Sequence, residues 1–341
     1  MISLSTVTNA KSLAGELPFG RKDAALLLVL PGLFLFASLM LYPVVYLIWL
    51  SMTNAAGPET LIRGEAQFIG LQNYVNLFTD GLFWNSLAVT WLFVVTTVAM
   101  KLLVGIGIAL VLTSERVIGK RYMRALVILP MGFPAIFTIT IWRQMFSSAR
   151  FGTINEFMFI YRDGVLWLQG LIDAAIFWTT VQPLGFLIPD LPIAWLSTRW
   201  MAFAAYNVTE IWLAYPFMVI IIISALQSQS QELHDAARVD GAGYWMRFFH
   251  VTLPAIKRPV WFAAILTAAA SFQQFLIPWV FNRGGPSRQN ELLLVYGYRE
   301  ALSNNRFGLG AAIMIVALIF IGLFMWVNVK KGRLAEGIHD V

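Results

Sequence analysis

The sequence predicts an all-α integral membrane protein with six transmembrane helices and an extracytoplasmic insertion between the third and fourth spans. Of its 341 residues, 59% are hydrophobic and only 12% are charged, whereas a soluble domain carries about 25% charged residues. The mean hydropathy is +0.71. Long uninterrupted apolar runs indicate helices, because the strands of a membrane barrel would alternate in hydropathy over about ten residues.

Six segments reach the roughly 20 mostly apolar residues that a helical span requires. We expect spans at about residues 24–50, 86–113, 123–145, 200–226, 259–281 and 308–329. The first apolar run is longer than the core of a signal peptide and is not followed by a small-x-small cleavage site. It is therefore expected to stay in the protein as an uncleaved span.

The distribution of Lys and Arg indicates which side of the membrane each gap faces. These residues are concentrated in the N-terminal tail, in the gaps after the second and fourth spans, and at the C-terminal end. Cytoplasmic loops of membrane proteins carry such an excess. We therefore expect a multi-pass topology with both termini, including the tails 1–23 and 334–341, in the cytoplasm.

The gap between the third and fourth spans is long, and we expect residues 150–198 to form an insertion at the outer surface. Within it, residues 165–186 are apolar enough to be a seventh span. Asp173, Gln169 and Pro183 favour instead one or two helices that lie at the outer membrane surface. A seventh span would also place the N-terminus outside and weaken the agreement with the charge distribution.

Most catalytic chemistry is missing from the sequence. There is no cysteine, and His234, His250 and His339 lie far apart, so neither a disulfide framework nor a metal site is predicted. No phosphate-binding loop, zinc-protease motif or serine-hydrolase motif occurs. We expect no catalytic residue, no metal and no cofactor on this chain. Its net charge of +6 is attributed to cytoplasmic loops rather than to a nucleic-acid site.

Residues 229–254, termed the charged loop below, form a polar stretch between the fourth and fifth spans. Ser230 is placed to cap a short helix, with Glu232 and Asp235 near its positive N-terminal end. Asp240-Gly241 is expected to end that helix, because glycine accepts the backbone angles of a sharp turn.

A second short helix is expected over about residues 242–250, ended by Leu253-Pro254 before the next span. Its aromatic residues are Tyr244, Trp245, Phe248 and Phe249. A plain solvated linker is the alternative, but connections in helical bundles usually take about 2–8 residues. The charged loop is therefore expected to be a folded helix–turn–helix unit that a soluble partner contacts.

The charged loop resembles the EAA loop of ABC-importer permeases, in which Glu-Ala-Ala, three residues, Gly, nine residues, Ile, any residue and Leu-Pro follow one another. The corresponding residues here are Asp235-Ala236-Ala237, Gly241, Val251 and Leu253-Pro254, with every spacing kept. Asp replaces Glu and Val replaces Ile, and both changes keep charge or shape.

Three further stretches resemble the carbohydrate-uptake branch of that family, which includes the maltose-type permeases. They are Phe68-Ile69-Gly70-Leu71-Gln72-Asn73-Tyr74, Ile193-Ala194-Trp195-Leu196 and Gly284-Gly285-Pro286. The likeness covers about residues 24–333, and the apolar stretch 160–190 looks like an addition to the usual pattern.

The resemblance implies a transmembrane permease domain at 24–333 in the cytoplasmic (inner) membrane of a bacterium or archaeon. Its partners would be a second related permease subunit, two ATPase subunits that bind ATP and Mg, and an extracytoplasmic solute-binding protein. The charged loop would be the coupling helix, seated in a cleft of the ATPase. The coupling residues would then be Glu232, Asp235, Ala236, Ala237, Asp240, Gly241, Leu253 and Pro254.

The cargo implied is a sugar, an oligosaccharide or a sugar derivative, and the chain would form half of its path. The alternative is a stand-alone secondary transporter or channel, which would need no coupling loop and would show paired half-repeats. A membrane-bound enzyme is a third class, but no cluster of carboxylates or histidines at one membrane face supports it.

Polar residues inside the spans are candidates for the solute path, because a buried carboxylate is costly in a membrane and should face protein or water. They are Asn207, Glu210 and Tyr215 in the fourth span and Ser271, Gln273 and Gln274 in the fifth. Phe272, Phe275 and Trp279 could stack on a sugar ring. Polar contacts between helices are the alternative, with Lys101 of the second span as the possible partner of Glu210.

Overall fold

The structure, a computed structural model, describes residues 21–114, 117–149, 152–175, 187 and 190–331. The predicted C-terminal tail and most of the N-terminal tail lie outside these residues. So does the second half of the segment that was considered as a seventh span.

The described chain is built from helices, which confirms the predicted all-α class. Its α-helices are, in order, α1 Arg21–Phe36, α2 Tyr42–Ser51, α3 Pro58–Ile62, α4 Gln72–Thr79, α5 Gly81–Thr113, α6 Lys120–Ile128, α7 Ala135–Met145, α8 Thr153–Ala175, α9 Arg199–Gln227, α10 Gln231–Val239, α11 Tyr244–Arg247, α12 Leu253–Phe272, α13 Leu276–Asn282, α14 Leu293–Tyr298 and α15 Phe307–Lys331. An isolated antiparallel bridge joins Thr53 to Phe68.

Four helical segments of the described chain are long and apolar enough to cross a membrane. They are Val29–Ser51 (in α1 and α2), α5, α9 and α15. Two bent helix pairs pass the same test only when each pair is taken together, which gives up to six candidate spans. The chain is therefore a multi-pass helical membrane protein, and the bent pairs coincide with the predicted third and fifth spans.

The third span is not the single helix that the sequence predicted. The segment ending at Gly132 and the helix α7 meet at an angle of 94°. Phe133 and Pro134 between them are extended, with ψ of 141° and 126°. Proline fixes its own φ and disfavours helical backbone in the residue before it, so Pro134 explains why the helix stops there.

The fifth span is also broken, with a bend of 40° between α12 and α13. The break covers residues 273–275, and Pro278 lies in the first turn of α13. A proline ring in a helix clashes with the carbonyl four residues earlier, here that of Gln274. Pro278 thus explains a break in a segment predicted to be continuous.

Helix α5 lies at the centre of the bundle, because three buried clusters share it. It packs with α4, α12, α14 and α15 in one cluster, with α7, α9, α13 and α14 in the second, and with α9 and α12 in the third. A Cβ added to Gly105 would lie 2.8 Å from the Cβ of Met218. Small residues permit such close approach of membrane helices, so α5 and α9 form a tight pair.

The described half of the insertion is α8, whose 23 residues do not qualify as a candidate span. Asn155, fully buried near its start, ties the two ends of the insertion together. Its amide donates to the carbonyls of Ser147 and Ile193 at 3.0 and 3.1 Å, and its Oδ1 accepts from Trp195 Nε1 at 3.2 Å. Whether residues 165–186 lie at the outer surface stays a prediction.

Candidate functional site

The charged loop begins as the sequence predicted. Ser230 has extended backbone, and its Oγ accepts a hydrogen bond from the Glu232 N–H at 3.2 Å. Glu232 lies in the first turn of α10 and Arg238 in the last. Both charges have the sign that favours their end of the helix dipole, so the short helix is stabilised locally at both ends.

Helix α10 ends in a turn that requires glycine. The Gly241 N–H donates to the Arg238 carbonyl at 3.0 Å, and the Ala242 N–H donates to the Ala237 carbonyl at 2.9 Å, which are the two bonds of a Schellman motif. Gly241 has a φ of +78°, and nothing lies within 4 Å of the position of a Cβ. The glycine is needed for its left-handed backbone and not for close packing.

The second half of the charged loop differs from the prediction. Leu253-Pro254 does not end a short helix, since a continuous helix runs from Tyr244 through a π-helical turn at Phe248–Thr252 into α12. A π turn adds a residue to the helical turn. It thereby displaces the carbonyl that the Pro254 ring would meet in a regular α-helix.

Gln229 braces the charged loop against the spans on either side of it. It follows α9, its Nε2 donates to the Thr252 carbonyl at 3.3 Å, and its Oε1 lies 3.1 Å from His234 Nε2. One side chain therefore joins the end of the fourth span, α10 and the start of the fifth span. Motion of α10 would reach both spans.

The exposed surface of α10 combines charge with aliphatic side chains. Leu233 and Val239 are 57% and 88% exposed. The exposed polar or small residues are Glu232, Asp235, Ala236 and Arg238 on the helix and Asp240 directly after it. The Asp235–Arg238 ion pair, 3.4 Å long, is more than half exposed on both sides and so contributes little to stability. Exposed apolar surface rimmed by charge is typical of a protein contact.

The polar residues predicted inside the spans fall into two groups. Lys101, Glu210, Ser271 and Gln274, termed the buried polar cluster, contact one another. Lys101 Nζ lies 2.6 Å from Glu210 Oε1 and donates to Ser271 Oγ at 3.0 Å. The side chains of Lys101 and Glu210 are 0% and 7% exposed. The interhelical pairing considered for Glu210 is therefore present, and it joins α5, α9 and α12.

Gln274 connects the buried polar cluster to the break in the fifth span. Its Nε2 donates to Glu210 Oε2 at 2.6 Å, and its Oε1 accepts from the N–H groups of Phe275 and Leu276 at 3.0 and 3.1 Å. Those N–H groups begin α13 and would otherwise lack partners. The Glu210 carboxylate thereby helps to fix the geometry of the break.

The other predicted path residues lie apart from this cluster. Asn207 Oδ1 accepts from Thr96 Oγ1 at 2.7 Å, and its amide donates to the Phe203 carbonyl at 2.8 Å. Tyr215 is half-buried. Gln273 is exposed at the break, with its amide donating to the Ala269 carbonyl at 3.2 Å.

Of the three aromatic residues proposed to stack on a sugar, Phe272 is buried in the core at 2% exposure. Phe275 and Trp279 are half-buried and stack on each other, with ring centroids 5.5 Å apart and planes at 20°. Tyr298 completes this aromatic group, with its ring centroid 4.9 Å from that of Phe275. Phe275 and Trp279 are thus partly exposed near Gln273, whereas Phe272 is not.

A second polar region, the 283–306 loop after the fifth span, was missed by the sequence reasoning. Glu291 is fully buried and accepts from Arg288 Nε and Arg299 Nε, each at 2.6 Å. Glu300 is 4% exposed and pairs with Arg288 at 3.4 Å. Burial opposes the charge of Arg288, but its hydrogen bond to Glu291 and the charges of both carboxylates raise its pKa above the ordinary value.

Gly284 lies in one of the stretches that carry the family resemblance, and the structure explains why this position is a glycine. It has a φ of +79°, and a Cβ there would lie 2.7 Å from the Cα of Glu291. Asn73, in another such stretch, donates to the carbonyls of Ser51 and Thr53 at 2.9 and 2.8 Å and closes the end of α2. The glycine and the asparagine within the stretches that carry the family resemblance were the sequence signals that could have identified these two positions.

Comparison with known proteins relates most of the chain to transport permeases. The model of a family described as binding-protein-dependent transport system inner membrane component matches residues 101–330. A trehalose/maltose transport system permease protein of Thermococcus litoralis is 28% identical over 94% of this chain and 98% of its own length. A sulfoquinovosyl glycerol transport system permease protein of Agrobacterium fabrum is 30% identical over 88% of this chain and 87% of its own.

The fold has a counterpart among solved structures. A chain in the crystal structure of a bacterial ABC transporter involved in the import of the acidic polysaccharide alginate superposes with a TM-score of 0.67. The alignment covers 92% of this chain and 96% of that one at 17% identity. Because the family model matches more than half of the chain, the protein belongs to the family of binding-protein-dependent transport system inner membrane components.

Proposed function

We propose that this chain is the transmembrane permease subunit of an ATP-driven importer of a sugar, an oligosaccharide or a sugar derivative, and that the charged loop couples it to a separate ATPase. The observation that carries the proposal is the combination of exposed Leu233 and Val239 on α10 with the brace at Gln229. A braced helix whose exposed apolar side chains contact a partner can transmit a rigid-body motion to the adjoining spans.

The assembly proposed has a second related permease subunit, two ATPase subunits and an extracytoplasmic solute-binding protein. ATP and Mg belong to the ATPase in this scheme, and both termini of the present chain are cytoplasmic. The charged loop and the Lys- and Arg-rich gap around Ile118 then face the same side of the membrane. The family description supports the solute-binding protein.

A neutral, hydroxyl-rich solute suits the polar groups of the spans. The charge of Glu210 is balanced by Lys101 within the protein, so the groups left at the break of the fifth span are the amide of Gln273 and the rings of Phe275 and Trp279. Amides bind hydroxyls, and aromatic faces pack on sugar rings. We assign Tyr215 and Gln273 to contact with the solute. Glu210, Ser271 and Gln274 are assigned to fixing the positions of the helices that line the path. Asn207 is placed at the edge of the path.

Capture of the ATPase tests the coupling assignment. Val239→Glu should abolish co-purification of the ATPase with the permease pair, because it replaces an exposed apolar side chain of the proposed contact by a carboxylate. Ile118→Glu is the matched control, since Ile118 is 96% exposed in another gap on the same side. Capture that survives Val239→Glu, or that is lost equally in both variants, would contradict the assignment. A chain that transports solute with no ATPase present would instead be a stand-alone transporter.

Glu210→Gln separates the structural from the solute-contacting role of the buried polar cluster. Lys101 would lose its charged partner in a site with 0% exposure, and breaking a buried pair costs about 3–5 kcal/mol. We expect weak assembly of the complex, measured by size-exclusion chromatography, and restored assembly in the double variant Lys101→Met with Glu210→Gln. Normal uptake by the complexes that do assemble would leave Glu210 without contact to the solute.

A further inference from the structure

A cavity of ≈ 550 Å³ lies between the charged loop and the ends of the second and fourth spans. Its walls include Thr113 and Ser114 at the end of α5, and His234, Arg238 and Arg247 of the charged loop. This volume lies within the range of small-ligand sites. None of its lining residues belongs to the break of the fifth span, so the two sites are separate.

The polar lining of the cavity is basic. Arg238 and Arg247 line it, and no acidic residue of the described chain does. The Nε of Arg247 is buried and has no hydrogen-bond partner among the described residues. A buried guanidinium N–H without a partner is costly, so an acceptor is expected to fill this space. Within the described part of the chain, the charged partner of Arg238 is the exposed Asp235, at 3.4 Å.

Apolar side chains complete the walls. Leu110, Leu226, Tyr244 and Phe248 contribute hydrophobic surface beside the two arginines. Guanidinium groups form paired hydrogen bonds with phosphate oxygens, and the hydroxyl of Ser114 can donate to the same group. The Thr113 hydroxyl already donates to the Ala109 carbonyl at 2.8 Å, so Thr113 contributes only wall surface. A basic pocket with apolar walls, at the end of membrane helices, has the chemistry of a phospholipid headgroup site.

We propose that this cavity binds a phosphate group, carried by an anionic phospholipid headgroup or by a free phosphate ester, and that the bound group joins the ends of α5 and α9 to the charged loop. The inference rests on the proposed function for the cytoplasmic placement of the loop. A ligand held there would stiffen the loop that the ATPase contacts. Coupling would then depend on the lipid composition of the inner leaflet or on the level of the free phosphate compound.

The test uses the assembled transporter, stripped of lipid in detergent and then given phosphatidylglycerol, phosphatidylcholine or inorganic phosphate. Native mass spectrometry measures how much lipid each complex retains, and phosphate competition measures the soluble source. Arg247→Gln should lower phosphatidylglycerol retention about tenfold, because a hydrogen bond to a charged group is lost. Arg238→Gln should also lower phosphatidylglycerol retention. Arg238 is more exposed than Arg247, so this variant loses little packing.

Arg258→Gln is the control, because Arg258 is exposed on α12 and does not line the cavity. It removes the same charge and should leave retention unchanged. Phosphate that binds tightly while phosphatidylglycerol does not would identify a soluble ligand. If the Arg247→Gln complex retains as much phosphatidylglycerol and as much phosphate as the wild-type complex, the proposed site is wrong. That conclusion would hold even if the ATPase is captured normally. Retention without any captured ATPase would count against the proposed function alone.

Discussion

The two polar connections that flank the fifth span differ in the burial of their carboxylates. In the 283–306 loop the carboxylates of Glu291 and Glu300 are buried and each is paired with arginine. In the charged loop Glu232, Asp235 and Asp240 are exposed. One connection satisfies its charges internally, and the other presents them to its surroundings.

This difference separates a structural role from a contact role. A buried carboxylate with two arginine partners stabilises one fold of the loop and leaves little for a partner to bind. An exposed helix that is capped at both ends but makes a weak ion pair keeps its shape and its surface available. Charge density in the sequence is similar in both loops, so the burial of the charges decides which role each loop has.

Among variants of the two connections, Glu291→Gln should have the largest effect on stability, and it is the most direct test of this comparison. Glu291 is 0% exposed and holds Arg288 and Arg299 at 2.6 Å, so removing its charge should destabilise the protein by about 3 kcal/mol. Thermal unfolding of the purified complex measures the loss. Glu59→Gln is the control, because its pair with Arg63 is exposed and should change stability by less than about 0.5 kcal/mol. Equal effects at both sites would remove the distinction between the two kinds of charge.

The same glycine substitution in each loop sharpens the comparison. Gly284→Ala should cost more than Gly241→Ala, although both positions have a φ near +80°. Each alanine meets about 1–2 kcal/mol of left-handed strain, but only the one at 284 would meet backbone, at 2.7 Å from the Cα of Glu291. Unfolding temperatures of the two variants, measured side by side, should fall further for Gly284→Ala. The reverse order would mean that the turn at Gly241 is the more tightly packed one.

Asp235→Asn should have the smallest effect on stability and a clear effect on partner binding. The pair with Arg238 is more than half exposed, so the unfolding temperature of the permease should barely move. Capture of the ATPase, by contrast, should weaken if the exposed charge lies in the contact. Capture that is unchanged while stability falls would place Asp235 among the structural charges and remove the contrast between the loops.

Much of the charged loop was predictable because its structure is local. The cap at Ser230 and the turn at Gly241 involve neighbours in sequence, and both were expected before the structure was known. The continuation of the helix through Pro254 was not expected, because the π turn that accommodates the proline leaves no simple pattern in sequence. The break caused by Pro278 could have been inferred from the clash with the residue four positions earlier.

The sequence by itself determined the membrane class, the approximate places of the spans and the folded character of the charged loop. Composition, capping and the conformational freedom of glycine act over a few residues, and a single sequence displays them directly. Only the tertiary structure decided that Lys101 neutralises Glu210, that Gln274 ties this pair to the broken fifth span, and that Glu291 is a buried partner of two arginines. Lys101 and Glu210 are 109 residues apart in the chain, and their pairing follows from how α5 packs on α9, which hydropathy does not encode.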